Sequence, residues 1–89
     1  RRYWDPEFAA DGPADPDEAA EELTERLREA VRIRMVAEVP LGAFLSGGVD
    51  SSGVVAMMAG LSEDPVETCS ITFADARFNE GDYARQVAD

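Results

Sequence analysis

The hydrophobic positions of this chain change their period twice. Ala19, Leu23, Leu27, Val31 and Met35 recur at every fourth place, and Ala20, Ala30 and Ile33 widen the stripe. That spacing gathers them on one face of a helix. Asp15-Pro16-Asp17-Glu18 marks its start: an aspartate to cap free N–H groups, a proline at the first helical position and a glutamate completing a capping box. Acids occupy the first half, and Arg26, Arg28, Arg32 and Arg34 the second, the order the helix dipole favours. Pro40 disfavours helical geometry at Val39, so the helix is expected to end near Glu38.

From Val39 to Ser46 residues of both parities are apolar, the pattern of a strand buried on both faces in a parallel sheet. Ser51–Gly60 reads as a short buried helix with Gly60 as its C-terminal cap. A turn follows, then Val66–Phe73, β-branched and alternating, reads as a second strand. Asn79 is placed to cap a last helix, where Tyr83, Ala84 and Val87 share a face. Strands alternating with helices predict an α/β fold with a parallel sheet and right-handed crossovers. Two strands make a poor sheet, so further strands are expected beyond Asp89.

Composition narrows the function. The chain has 89 residues, room for one small domain, and 45% are hydrophobic against 30% charged. A net charge of −11 argues against nonspecific nucleic-acid binding, and the acids from Asp5 to Glu29 read as a solvated helix face. No apolar run reaches membrane-spanning length and no signal peptide is visible. A start at Arg1 and a stop at Asp89 inside a helical pattern suggest a piece of a larger protein. One cysteine, Cys69, suits a reducing compartment and reads as a buried structural thiol within the second strand. Histidine is absent, which removes Ser-His-Asp and Cys-His nucleophilic sites and His-based metal sites from this segment.

The candidate chemistry lies between the first strand and its helix, in Ser46-Gly47-Gly48-Val49-Asp50-Ser51-Ser52. In an open parallel sheet, ligands bind at the carboxyl ends of the strands. Gly47 and Gly48 allow a tight turn and close approach of a ligand. The first turn of the helix offers N–H donors to anions, and Ser46, Ser51 and Ser52 add hydroxyls. Asp50 would repel phosphates unless a divalent cation lay between them; Mg²⁺ is commonly held by one or two carboxylates plus substrate phosphates. A Walker A loop needs lysine, of which the chain has none, and the GxGxxG and G-x-S-x-G patterns are missing. Residue types alone also admit a well-capped turn with no ligand. Gly53, which adds helix cost, suggests that something packs closely there.

These residues resemble a known family. SGGVDSS is similar to the pyrophosphate-binding loop of the ATP pyrophosphatases. Val31–Ser52 and Ser70–Asp89, with its F-N-E-x-x-Y-A segment, resemble glutamine-dependent asparagine synthetases in particular. The Arg2-Tyr3-Trp4 stretch is similar to the link between their glutaminase and synthetase domains. The resemblance implies a Rossmann-like adenine nucleotide alpha-hydrolase fold, with residues 1–14 a linker and 15–89 the N-terminal portion of the ATP-binding domain. It implies Mg²⁺ and ATP as cofactors, with Ser46, Gly47, Gly48, Asp50, Ser51 and Ser52 on the β- and γ-phosphates and Asp50 on the metal. Phe44 and Leu45 would pack by the adenosine, and Thr72 and Phe73 would offer backbone hydrogen bonds to adenine.

In such a family aspartate, or another carboxylic acid, is adenylated and then amidated by ammonia that a glutaminase domain releases from glutamine. The resemblance further implies a cytoplasmic enzyme with no nucleic-acid or membrane partner, open to homodimer formation by the parent, and a segment inactive by itself. Three alternatives stay open: a relative such as a β-lactam synthetase or a specialised amidotransferase, an NAD or GMP synthetase or tRNA thiolase, and a nucleotide-binding module without catalysis. The acidic charge counts against the tRNA reading.

Overall fold

The computed structural model describes residues 1–89. Its elements are α1 (Pro16–Arg34), β1 (Gly42–Phe44), α2 (Val49–Leu61), β2 (Glu67–Cys69), a 3-10 turn (Ala76–Phe78) and α3 (Gly81–Ala88). Residues 1–14 carry no helix or strand, and Tyr3 and Phe8 are exposed.

α1 begins as its sequence demands. Asp15 is the N-cap, its side chain accepting the Asp17 N–H at 3.0 Å, and Pro16 is the first helical residue. Glu18 makes no hydrogen bond back to the cap, so the capping box is half formed. The helix stops four residues short of Glu38. The Met35 N–H is shared between the Val31 and Arg32 carbonyls at 3.1 and 3.2 Å, and Arg34 Nη1 donates to the Ala30 carbonyl at 2.9 Å. The chain then uses Val36–Leu41 to turn into β1. Of the apolar stripe only Val31 is buried; Leu23 remains 67% exposed.

β1 and β2 are parallel and in register Gly42↔Glu67, Ala43↔Thr68, Phe44↔Cys69. Both strands are shorter than predicted, because Pro40 has no N–H to donate and β2 is the single partner of β1. Burial is one-sided, correcting the expectation of a strand covered on both faces. Ala43 and Leu45 share the face covered by helices, where Leu45 (2% exposed), Val55 of α2 and Ala84 of α3 form the core with Ala43 against it. Phe44, on the opposite parity, is 78% exposed. Cys69 lies on that open face, so it is an exposed free thiol and not a buried one.

α2 runs through Gly60 to Leu61 and is capped by extended Ser62, whose N–H donates to the Met58 carbonyl. Gly60 is thus interior, and no left-handed cap forms there. Gly53 faces open space, with nothing near enough to require a glycine. α3 begins one residue later than an Asn79 cap would place it, although Asn79 Oδ1 does accept the Gly81 N–H at 3.1 Å. The radius of gyration is 16.3 Å, against about 12 Å for a compact chain of this length. Five buried residues and a two-stranded sheet give these elements little mutual stabilisation.

Candidate functional site

Leu45, just past β1, adds one more bond to its pairing with β2, its N–H donating to the Cys69 carbonyl at 2.9 Å. The backbone then turns abruptly. Gly47 has φ of +84°, the left-handed region, and is the single residue of the chain with positive φ. A Cβ at this position would lie 2.5 Å from Tyr83 Cβ, 2.6 Å from the Tyr83 carbonyl carbon and 2.7 Å from the Ala84 nitrogen. Glycine is therefore required twice, by its dihedral and by the start of α3 pressed against it. Gly48, extended, is the N-cap of α2 and offers no side chain to its first turn.

Ser46 and Ser51 brace this turn. The Ser46 N–H donates to Ser51 Oγ at 3.2 Å, the two hydroxyls lie 2.9 Å apart, and the Gly48 N–H donates to Ser46 Oγ at 3.2 Å. Ser51 Oγ also lies 3.4 Å from the Gly48 carbonyl. Ser52 differs: its Oγ is buried with no hydrogen-bond partner. A buried hydroxyl left unpaired costs about 1–3 kcal/mol, so this is a donor available to an acceptor. Asp50, in the first turn of α2, is exposed and its carboxylate has no hydrogen bond or ion pair.

Beside the turn, at the carboxyl ends of both strands, lies a cavity of about 370 Å³. Phe44, Leu45, Ile71 and Phe73 give it apolar walls, while Ser46, Ser51, Ser70 and Glu80 supply its polar groups. No cationic side chain lines it. Its size falls in the range of small-molecule sites, about 300–1,000 Å³. Around the next bend Arg77 grips Asp75 in a two-pronged pair, Nη2 to Oδ2 at 2.6 Å and Nε to Oδ1 at 3.1 Å. The Arg77 side chain, then its backbone N–H, hold the Asp75 carboxyl below the usual carboxylate range.

The structure thus brings Phe44, Leu45, Ser46, Ser51 and Phe73 around one cavity, with Gly47, Gly48, Asp50 and Ser52 in the adjoining turn. Thr72 stands apart from the cavity lining, its Cγ2 near Gly81. Leu45 contributes chiefly to the core. Sequence reasoning missed Ser70 and Glu80 as site residues: Glu80 stands in the F-N-E-x-x-Y-A segment, but both reach the cavity only through the pairing of β2 and the start of α3. An Mg²⁺ ion suits the donor set here as a shared ligand: Asp50 is one free carboxylate, no cluster of three potential metal-binding side chains exists, and phosphate oxygens would have to complete the shell.

The asparagine synthase family model matches residues 22–89. Among curated proteins, Amidase chry2 of Gibberella zeae is 40% identical, the match covering 97% of this chain and 14% of that protein. Asparagine synthetase [glutamine-hydrolyzing] 1 of Bacillus subtilis is 35% identical over 81% of this chain and 11% of its own length. Amidase chyE of Penicillium rubens is 42% identical over 66% of this chain and 9% of its own length. The chain therefore spans a small part, 14% at most, of these three relatives. No solved structure matches it.

Proposed function

The chain belongs to the asparagine synthase family, and from that premise we propose that it is the phosphate-holding start of an ATP-dependent, amide-forming domain. The observation that carries the reading is the turn after β1: a left-handed Gly47, serines braced around it, and an unpaired Ser52 hydroxyl at the start of α2. Such a turn at the carboxyl end of a parallel strand suits the pyrophosphate end of a nucleotide. The apolar walls of Phe44 and Phe73 suit a purine, and the lack of a cation in the cavity makes it a poor seat for a carboxylic acid.

In the reaction we propose, a carboxylate oxygen of aspartate attacks the α-phosphorus of ATP, and the bond to the β-phosphate breaks to release pyrophosphate. Ammonia then attacks the acyl carbon of the adenylate, loses a proton, and AMP leaves with the former carboxylate oxygen. Ser46, Ser51, Ser52 and the α2 N-terminus bind the departing pyrophosphate, so their contribution is positioning and charge stabilisation. Mg²⁺, with Asp50 as a ligand, supplies charge neutralisation to the phosphates when bound. Ammonia derived from glutamine, a cytoplasmic setting and a self-paired parent belong to the same proposal. No helix of the chain is long and apolar enough to cross a membrane.

A second reading changes only the acid. Two of the relatives are named amidases, and with no cation around the cavity the acceptor is chosen by residues outside this segment. The test is to supply full-length protein with Mg-ATP, glutamine and either aspartate or a panel of other carboxylic acids, and to measure AMP, pyrophosphate and amide. Matched AMP and pyrophosphate release with aspartate supports the synthetase; release with another acid alone supports the amidase-like relative. Asp50→Ala is expected to lower the adenylation rate by a factor of about 100 or more, the scale of losing a charge-stabilising group. It should leave glutamine hydrolysis in place. Unchanged adenylation in Asp50→Ala sinks the metal assignment.

A further inference from the structure

The two strands separate just where the cavity opens, and one side chain governs how. In a parallel pair, the Leu45 N–H bond to the Cys69 carbonyl sets up a next rung from the Ile71 N–H to the Leu45 carbonyl. That rung is missing. Ser70 Oγ takes its place, donating to the Leu45 carbonyl at 2.6 Å, the shortest bond of a side chain to the backbone in the chain, between residues 25 apart. Every other side-chain hydrogen bond joins residues at most five apart.

The substitution has two consequences. It satisfies the carbonyl of the most deeply buried residue of the core, which would otherwise be an unpaired acceptor. It also releases the Ile71 N–H from β1, so Ile71–Phe73 diverge from the turn and leave room for the cavity that Ser70, Ile71 and Phe73 line with Ser46. The peptide held by Ser70 is the one entering Ser46, whose N–H and Oγ organise Ser51 and Gly48. Its position therefore passes into the turn by a chain of hydrogen bonds.

We propose that Ser70 is a positioning residue for the phosphate-holding turn, replacing a backbone rung with a hydroxyl so that the strand ends part around the nucleotide. The proposal rests on the nucleotide reading for its ligand and on the Ser70–Leu45 bond for its geometry.

Two measurements on full-length protein separate those supports. Hydrogen exchange without nucleotide reads the turn by itself; calorimetric titration with Mg-ATP reads the ligand. Ser70→Ala should speed exchange over residues 45–48 and weaken Mg-ATP binding by about tenfold, the cost of misplacing binding groups. Ser70→Thr keeps the hydroxyl and should restore both. In turnover, KM for ATP should rise in Ser70→Ala with a smaller change in kcat. Exchange over residues 45–48 that is unchanged in Ser70→Ala overturns the proposal, as does altered exchange with unaltered Mg-ATP affinity. Failure of Ser70→Thr to restore binding while the protein stays folded also overturns it, since the role then belongs to side-chain volume. A wild-type protein that binds no Mg-ATP overturns the nucleotide reading and, with it, the assignment of the turn to phosphates; faster exchange in Ser70→Ala would still support the hydroxyl rung.

Discussion

α1 and the β1-turn-α2 unit are neighbours in sequence and opposites in how they are held. Every side-chain bond of α1 is local. Asp15 caps Asp17, Thr24 Oγ1 donates to the Ala20 carbonyl at 2.8 Å, Glu22 pairs with Arg26, and Glu29 receives both prongs of Arg32 at 2.7 Å. The Arg32 hydrogen bond, helped by its charge, keeps the Glu29 carboxyl below its ordinary value. These pairs are exposed and screened, so they steer helix formation more than they stabilise the fold. The turn depends instead on distant residues: Cys69 and Ser70 at the end of β1, and Tyr83 and Ala84 against Gly47. A segment held locally tolerates change one residue at a time, whereas a segment held from both β2 and α3 transmits each change to the others.

The largest effect that sharpens this contrast should come from Gly47→Ala. The positive φ alone costs on the order of 1–3 kcal/mol for a residue with a Cβ. The atoms it meets include the Tyr83 and Ala84 backbone, which cannot rotate away. We expect a loss of at least about 2 kcal/mol in full-length protein by denaturant unfolding, with Mg-ATP binding impaired. A variant as stable as wild type would mean that α3 does not press on the turn as described.

Ser52→Ala should act in the opposite sense on its two readouts. Removing a buried, unpaired hydroxyl should leave stability unchanged or raise it by up to about 1 kcal/mol. Mg-ATP affinity should nevertheless fall by about tenfold, the loss of one hydrogen bond to a charged group. Thermal unfolding beside a nucleotide titration checks both signs, and unchanged affinity would remove Ser52 from the phosphate site.

Asp15→Ala removes the cap of α1 and should cost about 0.5–1 kcal/mol by chemical denaturation, with nucleotide affinity untouched. An effect on affinity would break the comparison by coupling α1 to the turn. Leu23→Ala should be the mildest, within about 0.5 kcal/mol, because the side chain stands exposed on the helix surface. A cost above 2 kcal/mol in full-length protein would show that the stripe is covered in the whole molecule.

Much of the site was legible in the residues themselves. Glycines and serines between an apolar run and a helix predict a sharp turn rich in N–H and hydroxyl groups, and the left-handed Gly47 with the Ser46–Ser51 contact forms such a turn. Phe44 and Phe73, which the family resemblance puts beside the adenosine and the adenine, line one cavity. The errors have a common origin. Gly60 reads as a cap from glycine's local freedom and Gly53 as a site of close packing, yet α2 passes Gly60 as ordinary helix and leaves Gly53 facing open space. The Val39–Ser46 run reads as buried on both faces, but α2 and α3 cover only the side of Ala43 and Leu45.

What the sequence determined by itself is therefore the part written in nearest neighbours: the cap and charge order of α1, the alternation of helices with strands, and the donor groups and sharp turn of Ser46–Ser52. The tertiary structure decided the rest. It chose which face of β1 is covered, made Gly47 answer to Tyr83 as well as to its own dihedral, and brought Ser70 to the Leu45 carbonyl. The reason is physical. A dihedral preference or a capping bond is settled within a few residues, but burial and an unpaired carbonyl are settled by whichever distant atoms arrive, and no short stretch of residues encodes that arrival.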